Sequence, residues 1–171
     1  MNSPKMLNKK RIDFSSTERA HIIMPGDVNS SFHLFGGLLM QWIDEVAGIV
    51  ARRHAASEVL TAAIDHLIFL GPVHIDETVT LKGRITYVGT TSMEVCVETF
   101  VEKKFFPQEK KLVNRAFLTM VSINNEKRPQ AVPKIVLETE RQVADFEMGK
   151  LRRKLRLENK RQIEQANNLG N

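Results

Sequence analysis

Asn29, the pair Gly36–Gly37 and Asp44 lie within sixteen residues of one another, at intervals that suit attack on a carbonyl carbon. They belong to the run Met24–Val50, MPGDVNSSFHLFGGLLMQWIDEVAGIV, in which Asp44 interrupts an almost wholly apolar helical stretch. A carboxylate among apolar neighbours is costly unless it is hydrogen-bonded or used. As a base Asp44 would activate water, and as a nucleophile it would form a mixed anhydride that water then opens. The glycine pair starts the helix, so its backbone N–H groups have no intrahelical acceptor and can face a developing oxyanion. One such donor is worth about 2.7–4 kcal/mol in the transition state. Asn29 adds a carboxamide that holds water or a carbonyl without titrating.

Each residue also has a plainer reading. Asp44 equally suits a helix acid favoured by the macrodipole, or an ion-pair partner of Arg52 or Arg53. Asn29 sits among turn formers, Asp27–Ser31, and the glycines suit close helix–sheet packing. Glu45 lies about 100° around the helix from Asp44, so the two do not form an acid–base couple. His33 is an alternative base in the same loop. No Gly-x-Ser-x-Gly or Ser–His–Asp order occurs, and the five histidines (21, 33, 54, 66, 74) lack metal-ligand spacing, so no metal or redox cofactor is expected.

The elements that must hold these residues follow from periodicity. Leu39, Trp42, Ile43, Val46, Ile49 and Val50 recur at helical spacing over Gly36–Ala56, with Leu38, Met40 and Ala47 on other faces. A helix apolar nearly all round must be wrapped by something. Four strands follow, expected over 59–70, 78–88, 91–101 and 112–123, and 19–23 reads as an edge strand. In 78–88, Val79, Leu81, Ile85 and Tyr87 alternate with Thr80, Lys82, Arg84 and Thr86. One helix and an antiparallel meander make an α+β domain with the sheet wrapped around the helix.

At 171 residues, with 42% hydrophobic and 26% charged residues, the chain has the material for one core. The domain is expected over 14–134, preceded by a flexible arm (1–13) and followed by a basic C-terminal helix and tail (135–171). Between Lys150 and Arg161 seven of twelve residues are basic. Three uses fit that helix: packing on a neighbouring subunit, contact with an anionic ligand, or nucleic acid. The net charge of +5 suits any anionic partner and decides nothing alone. A single cysteine, Cys96, excludes a disulfide framework and fits a cytoplasmic setting. The basic, polar N-terminus reads as no secretory signal, and no 18-residue apolar run crosses a membrane.

The Met24–Val50 run resembles the hotdog-fold acyl-CoA thioesterases, whose pattern runs roughly P-G-D-T-N-x-x-G-x-L-F-G-G and then W-[IM]-D-E-x-A. The likeness extends through Thr61–Val73, Leu81–Gly89 and Thr91–Val95, and spans Arg19 to Pro133. It implies an enzyme hydrolysing acyl-CoA to free CoA and a carboxylic acid. Asp44 would be base or nucleophile, Asn29 and Thr61 would position water and carbonyl, and Gly36 and Gly37 would bind the oxyanion. Arg84, Thr90, Thr91 and Ser92 are the candidate CoA contacts. The resemblance further implies a homodimer that builds its sites across the interface, arranged as a hexameric trimer of dimers. Two residues depart from the pattern: Phe32 replaces a glycine, and Thr90 stands where arginine is frequent. The alternatives are a non-catalytic acyl-CoA or nucleotide-binding protein of the same fold, and a nucleic-acid-binding oligomer using the basic helix.

Overall fold

A computed structural model describes residues 9–169, without the side chains of 66, 106–108, 168 and 169. In chain order it comprises β1 (Lys10–Arg11), β2 (Thr17–Ile22), α1 (Gly36–Ala55), β3 (Glu58–Phe69), β4 (Thr78–Val88), β5 (Ser92–Lys103), β6 (Phe106–Ile123), β7 (Ile135–Val136) and α2 (Glu140–Leu169). Five strands form one antiparallel sheet in the order β2-β4-β5-β6-β3, while β1 and β7 pair in parallel. The hotdog α+β architecture expected from the sequence is the one observed. Residues 1–8 of the expected arm lie outside the described residues, and Lys10–Arg11 is paired strand.

Helix α1 lies on the inner face of the sheet and touches all five strands. Leu39, Trp42, Ile43, Val46, Ala47, Val50 and Ala51 are buried there against Val79, Leu81, Ile85, Val95, Val97 and Leu118. Gly83 sets the closest approach: a Cβ there would fall 2.7 Å from Val46 Cγ1 and 2.9 Å from Val50 Cγ2. The helix ends at Ala56, whose left-handed backbone (φ 54°) lets its N–H bond Arg52 O. Lys10 Nζ then donates to the carbonyls of Arg53 and His54, where a cation also suits the negative helix end.

The wrapping of α1 is incomplete. Met40 and Asp44, one turn apart, are exposed along one side of the helix, so that side is uncovered in the protomer. The regular alternation expected in β4 also breaks. A register shift between Ile85 and Tyr87 keeps Val88 on the core face and turns Tyr87 outward, against Phe146 of α2.

That outer face carries Glu94, Cys96 and Glu98, all buried, because the first half of α2 covers it. The cover is polar and paired. Arg152 forks onto Glu94 (2.9 and 2.7 Å) and lies 3.8 Å from the centre of the Phe117 ring. Arg84 bonds Glu98 (2.7 Å) and Asp145 (3.1 Å), and Arg156 bonds Asp65. Gly149 lets the helix down onto the sheet, since a Cβ there would be 2.6 Å from Tyr87 Cβ. The basic helix thus docks first on its own sheet. Strand β6 runs further than expected: its start takes up part of the charged segment 103–111.

Candidate active site

Asp44 projects from the uncovered side of α1, and Thr61 from β3, the strand that closes one edge of the sheet. Thr61 Oγ1 donates to Asp44 Oδ1 at 2.6 Å and also lies 3.6 Å from Met120 Sδ. Position 61 is fixed by pairing with Met120 just before a bulge at Ala62. Neither arginine considered as a partner reaches Asp44: Arg53 donates to Thr17 Oγ1 and Ser16 O, and the acid next along, Glu45, takes Arg19 and Gln41. Asp44 therefore has one oriented oxygen and one open oxygen on an accessible surface.

The Asn29 segment is a small hairpin held by its own backbone. Asn29 N donates to His33 O (2.8 Å), Phe32 N donates to Asn29 O (2.9 Å), and Leu34 N donates to Val73 O (2.8 Å). Asn29 Oδ1 accepts from the N–H groups of Ser31 (2.9 Å) and His33 (3.2 Å). Those two donors fix the carboxamide orientation and leave its NH2 free to donate outward. Phe32 sits at φ 60°, a left-handed conformation that glycine adopts without strain, which accounts for the glycine of the related pattern. His33 stacks edge-on to His74 at 4.8 Å between ring centres.

At the start of α1, Leu38 and Leu39 both donate to Phe35 O, while the amides of Gly36 and Gly37 have no acceptor among the described residues. The Phe35 ring lies over Gly37, with Cε1 2.6 Å from where a Cβ would stand. Gly36 faces the Phe69 ring across a gap that would hold a Cβ at 3.4 Å. Beside it opens a cavity of about 440 Å³ lined by Leu34, Leu39, Phe69, Val73 and Val113. The sequence reading missed this cavity. The apolar strand end Ile68-Phe69-Leu70 before Gly71-Pro72 was the available signal, since those three large side chains remain about half exposed.

Of the candidate CoA contacts, Thr90, Thr91 and Ser92 form the β4–β5 connection, closed by Gly89 N donating to Ser92 O (2.8 Å). Thr61, Met120, Met93 and Val88 share one row across the sheet. At about 4.8 Å per strand, this connection lies roughly 10–14 Å from Thr61. Arg84 is elsewhere, beneath α2 with its guanidinium committed to two carboxylates. Cys96 is equally remote from nucleophilic work: burial pushes its thiol up to about 12. No cluster of metal-ligating side chains occurs among the described residues.

Comparison with known proteins agrees with this geometry. The family model of the thioesterase superfamily matches residues 33–104. An uncharacterised acyl-CoA thioester hydrolase of Bacillus subtilis is 39% identical over 121 residues, covering 71% of this chain and 70% of that protein. The structure of an apo-hexameric acyl-CoA thioesterase superposes with a TM-score of 0.85 at 31% identity, over 89% of this chain and 97% of the other. An acyl-CoA hydrolase of Staphylococcus aureus, in complex with butyryl-CoA, CoA and CoA disulfide, gives 0.86 at 29% identity, over 92% and 96%. Alanine variants of that enzyme have been solved at an asparagine, an aspartate and a threonine separated by fifteen and seventeen positions. Asn29, Asp44 and Thr61 stand at the same intervals. On this footing the chain belongs to the acyl-CoA thioester hydrolases of the thioesterase superfamily.

Proposed function

We propose that Asp44 drives hydrolysis of an acyl-CoA thioester, with water taking the acyl group and CoA leaving as the thiol. The observation that carries the reading is the Thr61–Asp44 hydrogen bond of 2.6 Å on the open side of α1. It turns one carboxylate oxygen toward the strand and leaves the other for water or for the carbonyl carbon. The free amides of Gly36 and Gly37 are the oxyanion donors, and the Asn29 NH2 positions the carbonyl or the attacking water.

These parts cannot act on one carbonyl within a single protomer. Asp44 lies eight residues beyond Gly36, which is about 12 Å along the helix axis, whereas base and oxyanion donor must both lie about 3 Å from the reacting group. A second copy resolves the mismatch by bringing its own Asn29 and Gly36–Gly37 to Asp44. Strand β3 is a sheet edge, and Leu60, Ile64 and Ile68 on it are exposed, which supports a dimer built along that edge. The hexamers among the similar structures support a trimer of such dimers. Thr90, Thr91 and Ser92 are the proposed CoA contacts. Their distance from Thr61 is one that the extended pantetheine arm bridges. A cytoplasmic setting fits a chain whose one cysteine is buried and unpaired.

Free-thiol release from acetyl-, hexanoyl- and palmitoyl-CoA, run beside Asp44→Ala, tests the proposal. The native protein should turn over at least one of them, and the variant, equally folded and oligomeric, should not. Turnover undiminished in Asp44→Ala would remove Asp44 from the mechanism.

A further inference from the structure

We infer that Arg153, on α2, binds the phosphate end of CoA, and that the basic groove around it seats the adenosine 3′-phosphate. The inference rests on the thioesterase reading for the identity of its ligand. A thioester held at Asp44 and Thr61 runs its pantetheine arm along the sheet to the β4–β5 connection, where the phosphates emerge. That connection, Gly89–Ser92, carries no charge of its own, and Thr90 stands where arginine is frequent in the related pattern. Cations come to it from other elements. A Cβ at Gly89 would meet Ser92 Oγ at 3.2 Å and Arg153 Nε at 3.8 Å, so hydroxyl and guanidinium flank one point at the rim of the sheet. Lys134, in the segment before β7, donates from Nζ to Gly89 O at 2.8 Å and brings a second charge to the turn.

The arginines on the sheet side of α2 are already committed. Arg152 is held by Glu94, Arg156 by Asp65, and Arg84 beneath the helix by Glu98 and Asp145. Arg153 and Arg161, by contrast, make no ion pair or side-chain hydrogen bond among the described residues. Both line a groove of about 580 Å³ together with Lys150 and Lys154. The four cations recur at i, i+3, i+4 and i+11, which puts them on one stripe of the helix. Two carboxylates share the groove. Glu147 reaches Lys150 at 3.6 Å and Glu158 reaches Lys154 at 3.9 Å; both pairs are exposed and contribute little, so the groove stays net positive. Tyr87, Leu151 and Leu157 supply an apolar wall against which a purine can lie. At the turn, a guanidinium offers phosphate oxygens two parallel N–H donors as well as charge.

Thiol release from hexanoyl-CoA should be compared with release from hexanoyl-pantetheine, which keeps the thioester and lacks the phosphates and the adenosine. The ratio of kcat/KM for the two substrates should fall about tenfold or more in Arg153→Ala, an exposed position where the fold is not at stake. Arg141→Ala removes an equal charge from the opposite end of α2 and should leave that ratio within about twofold. A ratio unmoved by Arg153→Ala, or lowered as far by Arg141→Ala, would overturn this inference and leave the thioesterase reading standing. If the native protein releases no thiol from any acyl-CoA, that reading falls, and calorimetric titration with CoA decides the inference separately. Binding weakened about tenfold in Arg153→Ala supports it; equal binding by the two proteins, or none by the native one, overturns it.

Discussion

Thr61 and Asp44, on different elements and seventeen residues apart, are joined by a hydrogen bond of 2.6 Å that orients the carboxylate. A hydrogen bond to a charged group contributes about 1.5–3 kcal/mol. Thr61→Val keeps the shape and deletes the donor, so kcat should fall roughly 10–100-fold while KM changes little. Thr61→Ser restores the hydroxyl and should recover most of the rate. A valine variant that raises KM and spares kcat would assign Thr61 to substrate binding instead.

The pair Glu94–Arg152 carries a stability prediction. Glu94 has 4% of its side chain exposed, and its remaining partner is Thr86 Oγ1 at 2.6 Å. Arg152→Ala would strand a buried carboxylate and lose the contact with Phe117, at a cost of about 3–5 kcal/mol in urea denaturation. Combining Arg152→Met with Glu94→Gln removes both charges and should recover most of that loss, because the penalty comes from the uncompensated charge. If the double variant is as unstable as Arg152→Ala, packing of α2 rather than charge is what the arginine supplies.

His54 predicts a pH dependence. It is fully buried near the end of α1, with Nε2 2.9 Å from Pro133 O and Nδ1 without a partner among the described residues. Burial lowers its pKa below the ordinary 6.5; the Pro133 carbonyl pulls the other way, and Lys10 adds to the lowering. The unfolded chain therefore takes up the proton at a higher pH than the folded one. This contribution to stability is complete above pH 6.5 and is lost as pH falls from there through the folded value. In His54→Gln, whose amide can still donate to Pro133 O, the fall in Tm between pH 7.5 and 5.5 should be shallower. An unchanged slope would exclude His54 as its source.

The inner layer of the fold was legible because one periodicity dominates it. Leu39, Trp42, Ile43, Val46 and Val50 are core residues as the helical spacing requires, and α1 begins at Gly36 as expected. Apolar character alone could not say which side of that helix waits for another surface, so Asp44 read as enclosed and proves accessible. The outer layer was harder. Glu94 and Glu98 alternate as a solvent face would, yet arginines from α2 and β4 allow them to be buried. Gly149 was the available clue, since a glycine within a long helix often marks a close packing contact. Asn29, Gly36–Gly37 and Asp44 could be singled out by chemistry and spacing. Thr61 was reached only through the family resemblance: a threonine opening a strand is ordinary β-branched usage, and its hydrogen bond to Asp44 comes from the fold.

The length of helix between Gly36 and Asp44 has a genetic consequence. If each protomer lends its aspartate to one site and its Asn29 loop to the other, defects at the two places are complementary. Asp44→Ala and Asn29→Ala chains, each inactive alone, should regain activity when unfolded together and refolded as a mixture. Random pairing makes half the dimers mixed, each with one intact site, so about a quarter of native activity returns. Two chains that fail separately can succeed as a pair.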